Sequence, residues 1–172
     1  MKKTPMWPIV ASLFCFLLAA AAASSSHADG KRGAHPLAGT WSLVAADVLK
    51  PDGTRAHDYG ESPHGRLMID TQGHYSLQIF KSERSRFASG DKASGTPAEF
   101  ESAVLGASTH FGIVTIDNVT GNLIFQIEGS SFPNWEGTQQ KRRFELQGTE
   151  LSYRVPPRPD GSIPISVWRK IS

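Results

Sequence analysis

The chain is 172 residues long, with 18 Lys and Arg against 16 Asp and Glu, a formal net charge of +2, and one cysteine. A charge balance this close to zero, with no basic cluster, gives no footing for nucleic-acid binding. A single cysteine leaves no internal disulfide framework, and the length suits one domain.

Lys2 and Lys3 precede an apolar run from Ile9 to Ala23, and Ser24-Ser25-Ser26-His27-Ala28 follows it. A positive start, an apolar middle and small residues before a cut are the marks of a secretory signal peptide. Residues 1–28 are read as that signal, with cleavage after Ala28 or, alternatively, after Ala23. The run falls short of the roughly 20 apolar residues a membrane span needs, so no stable membrane insertion is expected once it is removed. Phe14, where a small residue should precede a lipidated Cys15, argues against a lipoprotein. Removing these two lysines from 18 leaves 16 basic residues against 16 acidic ones, and no cysteine. A periplasmic or secreted protein, held together by a packed core, is the expectation.

Residues 29–37 form an expected loose lead-in, and the domain is placed at 38–172. Eight strands are predicted, at 39–49, 64–70, 74–81, 108–117, 121–128, 138–147, 150–155 and 163–171. Alternation is clean in Tyr75, Leu77 and Ile79, in Leu123, Phe125 and Ile127, and in Leu151, Tyr153 and Val155; the last strand offers Ile163, Ile165 and Val167. Period-two patterning in many short segments argues for an antiparallel sheet with one wet face. The turns at 71–73, 118–120 and 148–149 carry or adjoin Gly, Asp and Asn, the residues tight turns favour. One helix is predicted in the loop between the third and fourth strands, where Thr96-Pro97-Ala98-Glu99 supplies a cap, a first-turn proline and a capping-box glutamate. Phe100, Ala103 and Val104 would share its face, making it a lid over the barrel or a plug in its end.

Long connections (50–63, 82–107, 129–137 and 156–162) alternate with short ones. In an up-and-down meander all the long loops then crowd one rim. Eight strands of this length close into a barrel that hides its edges and holds about one small ligand. At the other end Trp41 and Arg169 should meet, guanidinium over indole, because Arg169 shares parity with Ile165 and Val167.

Gly39-Thr40-Trp41 opening the first strand, with Arg169 near the end of the last, resembles the lipocalin signature. The bacterial lipocalin-like domain family is the closer resemblance. It is carried also by Ser131-Phe132-Pro133-Asn134-Trp135-Glu136-Gly137-Thr138 and by Leu151-Ser152-Tyr153-Arg154-Val155-Pro156-Pro157 leading to Val167-Trp168-Arg169, and it covers about 38–171. The Thr-Asp-Tyr motif of lipocalins proper, a helix after the eighth strand and a disulfide are all missing. The resemblance implies a calycin-type barrel, with Gly39, Trp41 and Arg169 as structural signature, and the carriage of a small hydrophobic or amphipathic ligand.

Function is expected at the mouth. Phe144 and Leu146 set a parity that turns Gln140 and Arg142 inward. A buried arginine wants an anion: an acidic ligand group, or Glu128 on the neighbouring strand, or else water. A bulge would bring Arg143 inward instead. Tyr59, Phe87, Phe100, Phe132 and Trp135 decorate the long loops, with Trp135 the best placed for a pocket. The expected ligand lining is Tyr75, Leu77, Phe111, Phe125, Trp135, Arg142 and Tyr153.

Catalytic and metal readings find little support. His35, His57, His64, His74 and His110 show no metal-ligand spacing, and no metal or cofactor is expected. Gly60-Glu61-Ser62-Pro63-His64-Gly65 misses the nucleophile elbow by one residue. An isomerase or cyclase using His110, Glu128, Arg142 and Tyr153 is the enzymatic alternative, and a filled barrel that meets another protein is the third reading.

Overall fold

The computed structural model describes residues 33–172; the expected signal peptide lies outside them. The strands are β1 (Gly39–Leu49), β2 (Arg55–Ala56), β3 (His64–Ile69), β4 (His74–Phe80), β5 (Ala107–Asp117), β6 (Asn122–Ser130), β7 (Gln139–Gln147), β8 (Glu150–Arg154) and β9 (Ile163–Lys170), with one helix, α1 (Pro97–Leu105). All pairings are antiparallel: β1 pairs with β2 and β3, each later strand with the next in sequence, and β1 also with β9, so eight long strands close into a barrel. Two-residue β2 covers Val48 and Leu49 of β1 where β3 no longer reaches. This extra strand was not anticipated. It shifts the count, so α1 follows β4 in the chain rather than a third strand.

Interior positions follow from alternation, with one interruption. A bulge between Leu43 and Ala45 resets β1, so that Trp41 and Leu43, then Ala46 and Val48, are the buried residues. Leu67, Ile69, Tyr75, Leu77, Ile79, Val114, Leu123, Phe125, Ile127, Leu151, Tyr153 and Trp168 complete the core. The end of the lead-in joins it: Leu37 is fully buried, and its carbonyl accepts from Trp41 Nε1 at 3.0 Å.

The closed end departs from the expectation for Arg169. Trp168, not Arg169, enters the barrel and lies 6.4 Å from the Tyr153 ring. Arg169 is 62% exposed and sits 3.8 Å from Glu150 on the outer face. Its register partners decide this, because Leu151 pairs with Trp168 and Tyr153 with Ser166, and both β8 residues are buried. An indole removes far more apolar surface from water than the alternative residues do. The cation over Trp41 is therefore Lys170, its Nζ 5.5 Å from the ring centre. Gly39 keeps the structural place expected of it: at φ +136° a Cβ would strike the Ser172 carbonyl and the Lys170 side chain.

Helix α1 has the expected capping box, with Thr96 and Glu99 bonded reciprocally. It buries none of its residues. Phe100 packs edge-on against Phe87 of the same loop, ring centres 5.3 Å apart.

Candidate functional site

Beneath the long loops the barrel encloses a cavity of about 420 Å³, walled by Leu77, Ile79, His110, Trp135, Gln140 and Arg142, among others, and bordered by both flanking loops. That volume lies in the range of small-molecule sites.

Three strands place its polar heart. In β7 the alternation turns Gln140 and Arg142 inward and leaves Lys141 and Arg143 exposed. In β5, His110, Gly112 and Val114 face inward. Gly112 sits opposite Tyr75 of β4, and lacking a side chain it lets the β6 backbone at Gln126 approach closely. Arg142 is 6% exposed, its guanidinium 4.6 Å from the Phe125 ring centre and 5.0 Å from that of Tyr153. Arg142 Nη2 donates to His110 Nε2 at 3.2 Å and to the side-chain oxygen of Gln140.

These contacts fix the protonation of His110. Arginine has no acceptor to offer, so His110 Nε2 carries the lone pair and Nδ1 carries the hydrogen. Nδ1 then donates to the Tyr75 hydroxyl oxygen, 2.7 Å away. Burial, assisted by the Arg142 charge, lowers the His110 pKa to about 3. Burial likewise pushes the Tyr75 phenol up. Edge-on packing against Tyr75, Phe125 and Trp135 holds the imidazole in place.

The charge of Arg142 is poorly matched. Among the described residues it makes no ion pair, and its partners His110 and Gln140 are both neutral. Its Nε is buried with no hydrogen-bond partner, as are Tyr153 Oη and Trp168 Nε1. Buried donors without acceptors are costly and uncommon.

At the mouth, Asp47 is buried yet accompanied: His57 Nδ1 lies 2.9 Å from Oδ1, and Arg55 Nε 3.6 Å from Oδ2. The Asp47 hydrogen bond, with Glu61 nearby, raises the His57 pKa. Arg158 and Asp58, 3.3 Å apart, tie the last long loop to the first.

The expected lining divides accordingly. Leu77, Trp135 and Arg142 line the cavity, while Tyr75, Phe125 and Tyr153 are buried around the Arg142 guanidinium. Phe111 does not join them. It is 53% exposed on the outside of β5, lying over Gly129, because the neighbouring His110 and Gly112 take the inward positions. Glu128 is also exposed, since Leu123, Phe125 and Ile127 fill the inner face of β6, so it does not pair with Arg142. Of the enzymatic set, His110, Arg142 and Tyr153 are together and Glu128 is apart. Tyr59 borders the cavity, whereas Phe132 stays largely exposed against Trp135. Gln140 faces inward as the parity of β7 predicts. Asp47 was missed: nothing near it in the sequence marks it as buried.

The model of a family described as "Lipocalin-like domain" matches residues 38–171. No curated protein matches the chain in sequence. Among solved structures, one similar chain is a lipocalin-like protein from Bacteroides uniformis, 15% identical with a TM-score of 0.42, the match covering 78% of this chain and 98% of that one. A mutant of the fluorescent protein UnaG is also similar, at 12% identity and a TM-score of 0.34, covering 78% of this chain and 95% of the other.

Proposed function

Because the chain belongs to the lipocalin-like domain family, we propose that it is an exported binding protein holding a small amphipathic molecule in its barrel, polar end on Arg142. The carrying observation is a buried arginine that lines a 420 Å³ cavity and has only neutral partners among the described residues. Apolar walls with a few placed polar groups are what such sites require. Leu77, Ile79 and Trp135 supply the walls. Arg142 supplies the polar group.

The enzymatic alternative gains no particular support. His110 is held neutral with both ring nitrogens engaged, and Glu128 is outside the wall. A neutral imidazole with its lone pair already occupied is poorly placed to take a proton from a substrate.

The reading is tested by calorimetric titration of the delipidated protein with a panel of alkyl carboxylates and aryl acids. Saturable binding is expected, and Arg142→Ala should weaken it about 10–100-fold, as loss of one or two charge-assisted hydrogen bonds implies. Equal affinity in the variant would remove Arg142 from the site, and no binding across the panel would defeat the reading. For export, mass spectrometry of the protein recovered from outside the cytoplasm should show a mature chain starting at Asp29 or Ser24; a retained Lys2–Lys3 start would contradict it.

A further inference from the structure

We propose that the Arg142 subsite takes the carboxylate of a singly charged amphiphile, one oxygen of which replaces the Gln140 side-chain oxygen, so that Gln140 sets the head-group preference. The inference rests on the reading of the barrel as a binding cavity and names the class of head group that cavity accepts.

Arg142 is held by neutral acceptors alone. Nη2 bonds two acceptors, His110 Nε2 and Gln140 Oε1, while Nε is buried and unpartnered. Neither acceptor carries charge. A buried cation is properly compensated by an ionised partner with good geometry, and a hydrogen bond to a carboxylate is about twice as strong as one to a neutral oxygen. An incoming carboxylate therefore outcompetes an amide for the same donor.

Of the two present acceptors, only Gln140 is free to leave. His110 is held from its other nitrogen by Tyr75 and is boxed by Phe125 and Trp135. Gln140 is two residues from Arg142 on the same strand, half-buried, with its flexible stem on the cavity wall. Its amide oxygen sits where a ligand oxygen would sit, as a neutral stand-in.

Charge counting narrows the head group. Asp47 is neutralised by His57 and Arg55, and Asp58 by Arg158. Lys141 also lines the cavity, but from an exposed position where water solvates its charge. His110 accepts a hydrogen bond from Arg142, so it cannot add a second positive charge without breaking that bond. One buried unmatched charge remains, which suits a carboxylate and leaves a phosphate monoester over-charged.

Calorimetry with decanoate, decanol and decyl phosphate on the wild type, Gln140→Glu and Gln140→Leu decides the matter, with a thermal melt confirming that each variant is folded. The wild type should prefer decanoate over decyl phosphate by about tenfold or more. Gln140→Glu, which places a permanent carboxylate on Arg142, should lose decanoate about tenfold or more and keep decanol within about threefold. Gln140→Leu, with no stand-in to displace, should bind decanoate at least as well as the wild type. Undiminished decanoate binding by Gln140→Glu overturns the proposal, as does a parallel loss of decanoate and decanol or an equal affinity for decyl phosphate. Wild-type binding of decanol but not decanoate overturns the head-group inference and leaves the cavity reading standing. Failure of all three probes on the wild type overturns both.

Discussion

Acidifying a solution of the protein from neutral pH to pH 5 should cost about 2 kcal/mol of folding stability through His110 alone. The imidazole has a pKa of about 3 in the fold against 6.5 in a solvated chain. The unfolded chain therefore takes up the proton first, and protonation favours unfolding. This contribution is fully present above pH 6.5 and is lost progressively as the pH falls toward 3, where the accumulated loss is roughly 4 kcal/mol. Burial supplies most of the depression, and the Arg142 guanidinium bonded to Nε2 adds to it. Urea denaturation at pH 7 and pH 5 measures the loss. His110→Gln keeps an acceptor for Arg142 and a donor for Tyr75 but does not titrate, so its difference between the two pH values should be smaller by about 2 kcal/mol. Equal acid sensitivity in both proteins would show that His110 is not buried as a neutral group. Carboxylates protonate over the same range, which is why the comparison between the two proteins, rather than the acid transition itself, carries the result.

The largest effect of a single substitution is expected at Trp168. Trp168→Ala should lower stability by about 3–5 kcal/mol, the cost of truncating a large buried aromatic, whereas Arg169→Ala should change it by no more than about 0.5 kcal/mol. The two residues are adjacent, but Trp168 is wholly inside the barrel and Arg169 is mostly in solvent. Denaturant titration of the two variants settles their order. A larger loss at Arg169 would mean that β9 runs in the opposite parity.

That pair also marks the boundary of what the sequence makes legible. Tyr75, Leu77 and Ile79 could be assigned to the interior because their alternates, His74, Ser76, Gln78 and Phe80, are mostly polar, and the burial of β4 agrees. The last strand has no such contrast. Ile163, Ile165 and Val167 form one apolar set, while Pro164 and Trp168 lie in the other. Alternation alone cannot choose between them; Leu151 and Tyr153 on the adjacent strand do.

Phe111 illustrates the same difficulty from another side. Its apolar character suggests an inward position, but the space is taken by the Tyr75 and Phe125 rings packed edge to face, 4.9 Å apart. Gly112, the next residue, is tied to β6 instead: its backbone at φ +153° would bring a Cβ onto the Gln126 carbonyl. That dependence spans two strands and is invisible from either one. By contrast, Arg142 was legible because β7 gives a short, unambiguous parity, and the capping box of α1 because its residues are neighbours in the chain. The partners of Arg142 were less so: Glu128 is nearer in charge, but His110 and Gln140 are nearer in space.

The pairing of β1 with β9 carries a consequence for how the chain reaches this state. Trp41 registers with Lys170 and Leu49 with Ile163, so the first strand finds its last neighbour only when almost the whole sequence is present. Contacts between such distant segments close a long loop and form slowly. Until β9 docks, β1 and β8 both present unpaired edges, which are templates for pairing with another chain. The last strand is therefore the element that converts an adhesive sheet into a closed surface.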